Sequence, residues 1–91
     1  MDIKELLREL GINLLGTYDN QGNYVIDIDD TESFGRIYSK IDSSDLLDEL
    51  ESSSLLTTHN SSLQYQYEDL YILNLISDFD NDTYKLVISE V

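Results

Sequence analysis

The sequence predicts an α+β fold, a small antiparallel β-sheet with two to three helices packed on it. Three observations lead there. Ile3, Leu6, Leu7 and Leu10 recur at helical spacing. The runs Tyr24 to Asp29 and Leu63 to Glu68 alternate apolar and polar residues with a period of two. Asp19-Asn20-Gln21-Gly22-Asn23 and Asp80-Asn81-Asp82 are turn chemistry set between β-compatible runs, as in hairpins. With 91 residues the chain fits one domain, 1–91, with one modest core.

The first helix has Asp2 as N-cap and Glu5 three residues on, a capping-box pattern with Asp for Ser or Thr. Gly11 is its C-terminal stop, and Lys4, Glu5, Arg8 and Glu9 form a solvated face of mixed sign. A hairpin follows: Ile12 to Tyr18, the Gly22 turn, then Tyr24 to Asp29. Tyr24, Ile26 and Ile28 face the core; Val25, Asp27 and Asp29 face water. Asp30 or Thr31 caps a second helix with the stripe Phe34, Ile37, Tyr38 and Ile41, shortened by Gly35. A third helix restarts at Asp42, Ser43 or Ser44 with Leu46, Leu47 and Leu50 inward, leaving Asp45, Asp48, Glu49 and Glu51 to solvent. Ser52 to Ser54 and Thr57 to Ser62 read as a frayed end and a loop. Leu63, Tyr65 and Tyr67 then mark a strand. Leu70 to Phe79 and Tyr84 to Val91 form a hairpin with apolar residues on both faces, although Asp69 to Ile76 also satisfies a helix.

Charge is the most informative quantity. Nineteen acidic residues against five basic ones give a net charge of −14. Duplex DNA carries one phosphate per ~1.7 Å of axis, so this charge matches about 24 Å of duplex. A folded chain of this length is roughly 30 Å across, a comparable linear density. Direct binding to nucleic acid or to an anionic membrane is disfavoured, and a basic partner is expected. The alternative is an acidic surface that only keeps the protein soluble. The chain has no cysteine, which excludes disulfides, thiolate metal sites and a cysteine nucleophile, and makes a reducing cytoplasm the simpler setting. No apolar run approaches the ~20 residues of a membrane helix, and the start lacks signal-peptide character.

Catalysis has little support. His59, the single histidine, sits in a Thr-Thr-His-Asn-Ser segment without an orienting base, so a solvated residue outweighs a hydrolase built on it. The glycines are dispersed, which excludes a phosphate-cradling loop, and the carboxylates have no evident cleft for glycosidase chemistry. Asp78, Asp80 and Asp82 reproduce the first, third and fifth ligands of an EF-hand loop. Thr83 replaces its glycine and Ser89 its bidentate glutamate, so a polar turn outweighs a calcium module. The expectation is therefore no enzyme, no cofactor and no metal.

The acidic runs differ in having useful spacing. Asp27 and Asp29 on one strand face lie about 6.6 Å apart. Asp45, Asp48 and Glu49 at helical spacing place neighbouring Cβ atoms ~5–6 Å apart. Fixed charges so arranged suit a protein site evolved to hold phosphates. A solvated face is the plainer reading of one such run, but several runs here share a sign. The seven tyrosines add amphipathic area, mostly in core or sheet.

With these residues laid out, the chain resembles a phage-encoded anti-CRISPR family of small acidic DNA-mimic inhibitors of type II-A Cas nucleases. Met1 to Leu10 looks like its opening amphipathic helix, and Gly22-Asn23-Tyr24-Val25-Ile26 with Glu32-Ser33 looks like its glycine turn, strand and second helix. Gln66-Tyr67-Glu68-Asp69 is similar to the start of its acidic third helix. Gln21 stands where the family has aspartate, and Leu70-Tyr71-Ile72-Leu73 is apolar where the family stays acidic. The resemblance implies that Gly22, Asn23, Glu68 and Asp69 dock. It also implies a non-enzymatic block of the basic, PAM-reading groove of a type II CRISPR nuclease in the cytoplasm of an infected bacterium. Asp27, Asp29, Asp30, Glu32, Asp45, Asp48 and Glu49 complete the expected partner-binding set. An immunity protein or antitoxin blocking another nucleic-acid enzyme, or a calcium-binding module, is the alternative.

Overall fold

A computed structural model describes residues 2–50, 60–78 and 80–91. The expected Glu51 charge, the Ser52 to Ser54 and Thr57 to Thr58 segments, His59 and Phe79 lie outside the described residues.

Helix α1 spans Ile3–Leu10, and its ends are set by side-chain and backbone chemistry. Asp2 Oδ1 accepts the Glu5 amide at 2.8 Å, satisfying one of the free N–H groups of the first turn. Gly11 at φ 76° turns the chain out in the left-handed conformation, and the Ile12 amide donates back to the Leu7 carbonyl at 2.9 Å. Ile3, Leu6, Leu7 and Leu10 are all buried, as their spacing predicts.

The expected strand from Ile12 to Tyr18 contracts to β1, Thr17–Tyr18. Ile12 is buried, whereas Leu14 and Leu15 are exposed, so this segment lacks an apolar face to lay on a sheet. The turn after β1 is held by Asp19, whose Oδ1 accepts the Gln21 amide at 2.8 Å and the Asn23 amide at 2.9 Å. Gly22 supplies its positive φ of 82°. Strand β2, Tyr24–Ile28, buries Tyr24, Ile26 and Ile28 and exposes Asp27, as the alternation predicts.

Helix α2 runs over Thr31–Asp42 behind the N-cap Asp30, whose Oδ1 accepts the Ser33 amide at 2.6 Å. It is not shortened by Gly35. The cap, burial of Ile37 and Ile41, and Lys40 in the last turn offset the modest propensity loss. Tyr38 departs from the expected stripe and is exposed, while Phe34 packs against Tyr84 with ring centroids 4.9 Å apart.

The third helix is overturned. After Asp42 the chain turns and forms β3, Asp48–Glu49, which pairs with Gln66 and Tyr65. Two causes are visible. The Ser43 hydroxyl donates to the Ser39 carbonyl at 2.6 Å and the Ser44 Oγ accepts the Leu46 amide at 3.2 Å, local bonds that compete with helix. The backbone groups of β4 also need a partner, and β3 provides one, with the Leu50 amide donating to the Gln64 carbonyl at 3.0 Å. Of the supposed inward stripe, Leu47 is buried and Leu46 exposed.

Strands β4 (Asn60–Tyr67), β5 (Tyr71–Asp78) and β6 (Thr83–Glu90) form a meander. Asn60, Ser61 and Ser62 belong to β4 instead of the expected loop, and the helical alternative for Asp69 to Ile76 gives way to β5. The six-stranded sheet has the order β1-β2-β6-β5-β4-β3, every pair antiparallel. The last strand is therefore inserted beside β2, joining the two hairpins, and the segment containing α2 connects β2 to the far edge. One face carries the core: Tyr24, Ile26, Leu73, Leu75, Leu86 and Ile88 meet the helix stripes there. On the other face Val25, Ile72, Ile76 and Val87 are only half-buried.

Candidate functional site

The register decides which acids meet. In β2 Ile28 pairs with Tyr84, and Thr83 pairs with Asp78. The ends of β2, β6 and β5 therefore lie side by side, with the outer two about 10 Å apart at ordinary strand spacing. Asp29 and Asp30 leave β2 there, and the β5–β6 turn brings Asp78, Asp80 and Asp82 to the same end. Asp27 lies inward on the sheet face opposite the helices. Asp30 is tied to α2 by its cap: the Ser33 amide, aided by the Arg36 charge, holds its carboxyl below the ordinary aspartate value. Glu32, on the first turn of α2, is engaged by Arg36 at 2.5 Å and so is less available than its exposure suggests.

The opposite end of the sheet collects a second group. Gly22 and Asn23 turn β1 into β2 there, and Glu68 and Asp69 turn β4 into β5. Glu68 has φ 48°, so the expected helix start is a tight turn; its carbonyl accepts from Gln66 Nε2 at 2.6 Å. The short loop joining two paired eight-residue strands rules out the helix. Glu90 pairs with Tyr71 at this end, and burial, then the Glu90 and Asp2 charges, raises the Tyr71 hydroxyl's pKa. Asp19, bonded first by the Asn23 amide, is held below the ordinary aspartate value. Eight-residue strands span about 26 Å, so the two groups are separate patches.

Asp45, Asp48 and Glu49 do not share a helix face. Asp45 lies in a turn, and successive residues of β3 point to opposite faces. Asp48 stands across from Gln66 on the sheet face opposite the helices, and Glu49 across from the buried Tyr65. Burial, then Asp42, pushes the Tyr65 hydroxyl far above its ordinary pKa; it donates to Asp42 Oδ1 at 3.3 Å.

Charge is partitioned by layer. Among the described residues, the helix-bearing segments 2–16 and 30–42, N-caps included, hold six acids and four cations, net −2; the others hold twelve acids and Lys85 alone, net −11. Sequence reasoning left Asp78, Asp80 and Asp82 out of the docking set because nothing local reveals that β6 inserts beside β2. As calcium ligands they fare poorly. Asp78 Oδ1 accepts the Asp80 and Asn81 amides at 3.1 and 3.4 Å, and Oδ2 accepts Asn81 Nδ2 at 2.8 Å. Among the described residues no group of three or more metal-ligating side chains assembles. Nor, among them, is any helix long and apolar enough to cross a membrane. Comparison with protein-family models, curated proteins and solved structures finds no match.

Proposed function

We propose that this protein is a non-catalytic inhibitor that offers its acidic sheet layer to the basic groove of a nucleic-acid-binding protein in place of DNA. One observation carries the reading: among the described residues, a net charge of −11 outside the helix-bearing segments against −2 within them. Carboxylates fixed on strands and tight turns present charge at little entropic cost, and arginines that grip phosphates take carboxylates in the same bidentate geometry. The half-buried Val25, Ile72, Ile76 and Val87 add an apolar centre to the acidic rim. The resemblance drawn from the sequence makes a guide-loaded type II-A CRISPR nuclease the partner, met in the cytoplasm of an infected bacterium, with the PAM-reading groove as the target.

The test is competition. Titrating the protein into such a nuclease bound to a labelled PAM-containing duplex should release the duplex, with an apparent affinity that falls as salt rises. Simultaneous binding of protein and duplex would overturn the reading. Displacement from an unrelated basic nuclease, but not from the CRISPR enzyme, would reassign the partner to the immunity-protein class.

A further inference from the structure

We propose that the helical layer carries a second docking surface, built on Leu14 and Leu15, for an acidic, leucine-bearing segment of a partner protein. The inference does not rest on the acidic sheet layer, which lies outside these helical segments.

The segment is pinned at both ends. Ile12 is buried and bonded to the end of α1. Gly16 donates to the Tyr24 hydroxyl at 2.9 Å, and a Cβ built on it falls 2.3 Å from the Val25 carbonyl oxygen. Between these anchors Leu14 and Leu15 project outward, Leu15 at 87 % exposure. A leucine so exposed on a short, fixed loop gains on binding what a core leucine gains on folding, with little order left to impose.

Two open grooves flank it. One, of about 270 Å³, is lined by Lys4, Leu7, Arg8 and Tyr24. The other, of about 210 Å³, is lined by Ser33, Arg36, Ile37 and Lys40. Asn13 and Leu14 border both, and among the described residues no acidic one lines either. Four of the chain's five cations thus line the two grooves that meet at Leu14, in a protein with nineteen acids. Lys4 and Arg8 repel each other at helical spacing, while Arg36 pairs with Glu32 and Lys40 Nζ donates to the Gly11 carbonyl at 2.5 Å. Apolar anchors inside a cationic frame fit carboxylates placed around leucines. The occupant is a narrow segment, since an extended anionic bilayer would also meet the charge of the whole molecule, whereas screening over ~8 Å confines a segment to the local field.

Amide chemical shifts of the labelled protein, titrated with a synthetic peptide of Glu-Leu-Leu-Glu repeats, read the surface directly. Saturable shifts are expected at residues 12–15 and around Lys4, Arg8, Arg36 and Lys40. Leu15→Ser should weaken the peptide about tenfold. The Lys4→Gln/Arg8→Gln pair, at exposed positions, should weaken it by roughly two- to five-fold per charge. A peptide of Lys-Leu-Leu-Lys repeats should shift the sheet layer instead. Absence of saturation, equal affinity of Leu15→Ser, or the cationic peptide settling on residues 12–15 would overturn the inference. Concentration-dependent shifts at residues 12–15 without peptide would overturn it in favour of a second copy as occupant.

Discussion

Asp27 of β2 stands directly opposite Lys85 of β6, on the sheet face that the helices leave uncovered. Lys85 is the one cation outside the helical segments, and its cross-strand neighbour is an acid. It moderates an otherwise one-signed layer, and an opposite-charge pair of this kind contributes roughly 0.2–1 kcal/mol.

Lys85→Gln should therefore pull stability and function apart. Denaturant unfolding should report a loss within that ~1 kcal/mol. Association with a basic partner should become faster, with a steeper salt dependence, because steering scales with the field of the docking face. Stopped-flow association at two salt concentrations measures both effects.

Two glycines should respond in opposite directions. Gly16→Ala drives a methyl to within 2.3 Å of a backbone oxygen, so it should destabilise by about 1–3 kcal/mol. Gly35→Ala meets nothing within 4 Å on an exposed helix position and should stabilise by about 0.5–1 kcal/mol. Urea midpoints at constant slope decide both.

Stability should fall at both pH extremes for identifiable reasons. Asp19 and Asp30 have folded values below the ordinary aspartate value of ~3.9, so their contribution is present above that value and is lost as pH drops through the lower folded values. Asp30→Asn keeps a capping acceptor without the titration and should flatten the acid limb of a thermal-shift profile. Tyr65 has a raised folded value, chiefly from burial. Its contribution is present below the ordinary tyrosine value of ~10 and is lost as pH climbs above it. Tyr65→Phe should flatten the alkaline limb and remove one late-titrating phenolate from the absorbance titration.

The two ends of the chain were the more legible in its sequence. Asp2 and Gly11 frame α1 by chemistry that needs no tertiary partner. Alternation located β2 and most of β4, and the Asp80-Asn81-Asp82 turn between two apolar runs located β5 and β6. Residues 42 to 50 misled because Leu46, Leu47 and Leu50 satisfy a helical stripe, while the deciding influence is β4, distant in sequence. Likewise, Asp27 could be placed on the outer face of β2 from spacing alone, whereas Asp29 lies just past the strand's end at Ile28. The approach of Asp78, Asp80 and Asp82 depends on β6 lying between β2 and β5, a nonlocal pairing with no local signature.

Added salt should raise thermal stability, since a net charge of −14 on a molecule of 12.4 Å radius of gyration repels itself. A melting temperature that falls between low and physiological salt would show that local attractive pairs outweigh that repulsion.

Equilibrium binding to a guide-loaded type II-A nuclease, compared between two charge-matched variants, separates a docking face from bulk acidity. One variant carries Asp27→Asn, Asp29→Asn and Asp82→Asn in the sheet layer; the other carries Glu5→Gln, Glu9→Gln and Asp42→Asn in the helical layer. Each loses the same formal charge, and each spares the cap Asp30 and the turn-holding Asp78. The sheet-layer variant should bind at least tenfold more weakly with a reduced salt slope, and the helical-layer variant within about twofold of the parent. Equal weakening of the two, or none in the first, would contradict docking through the sheet layer.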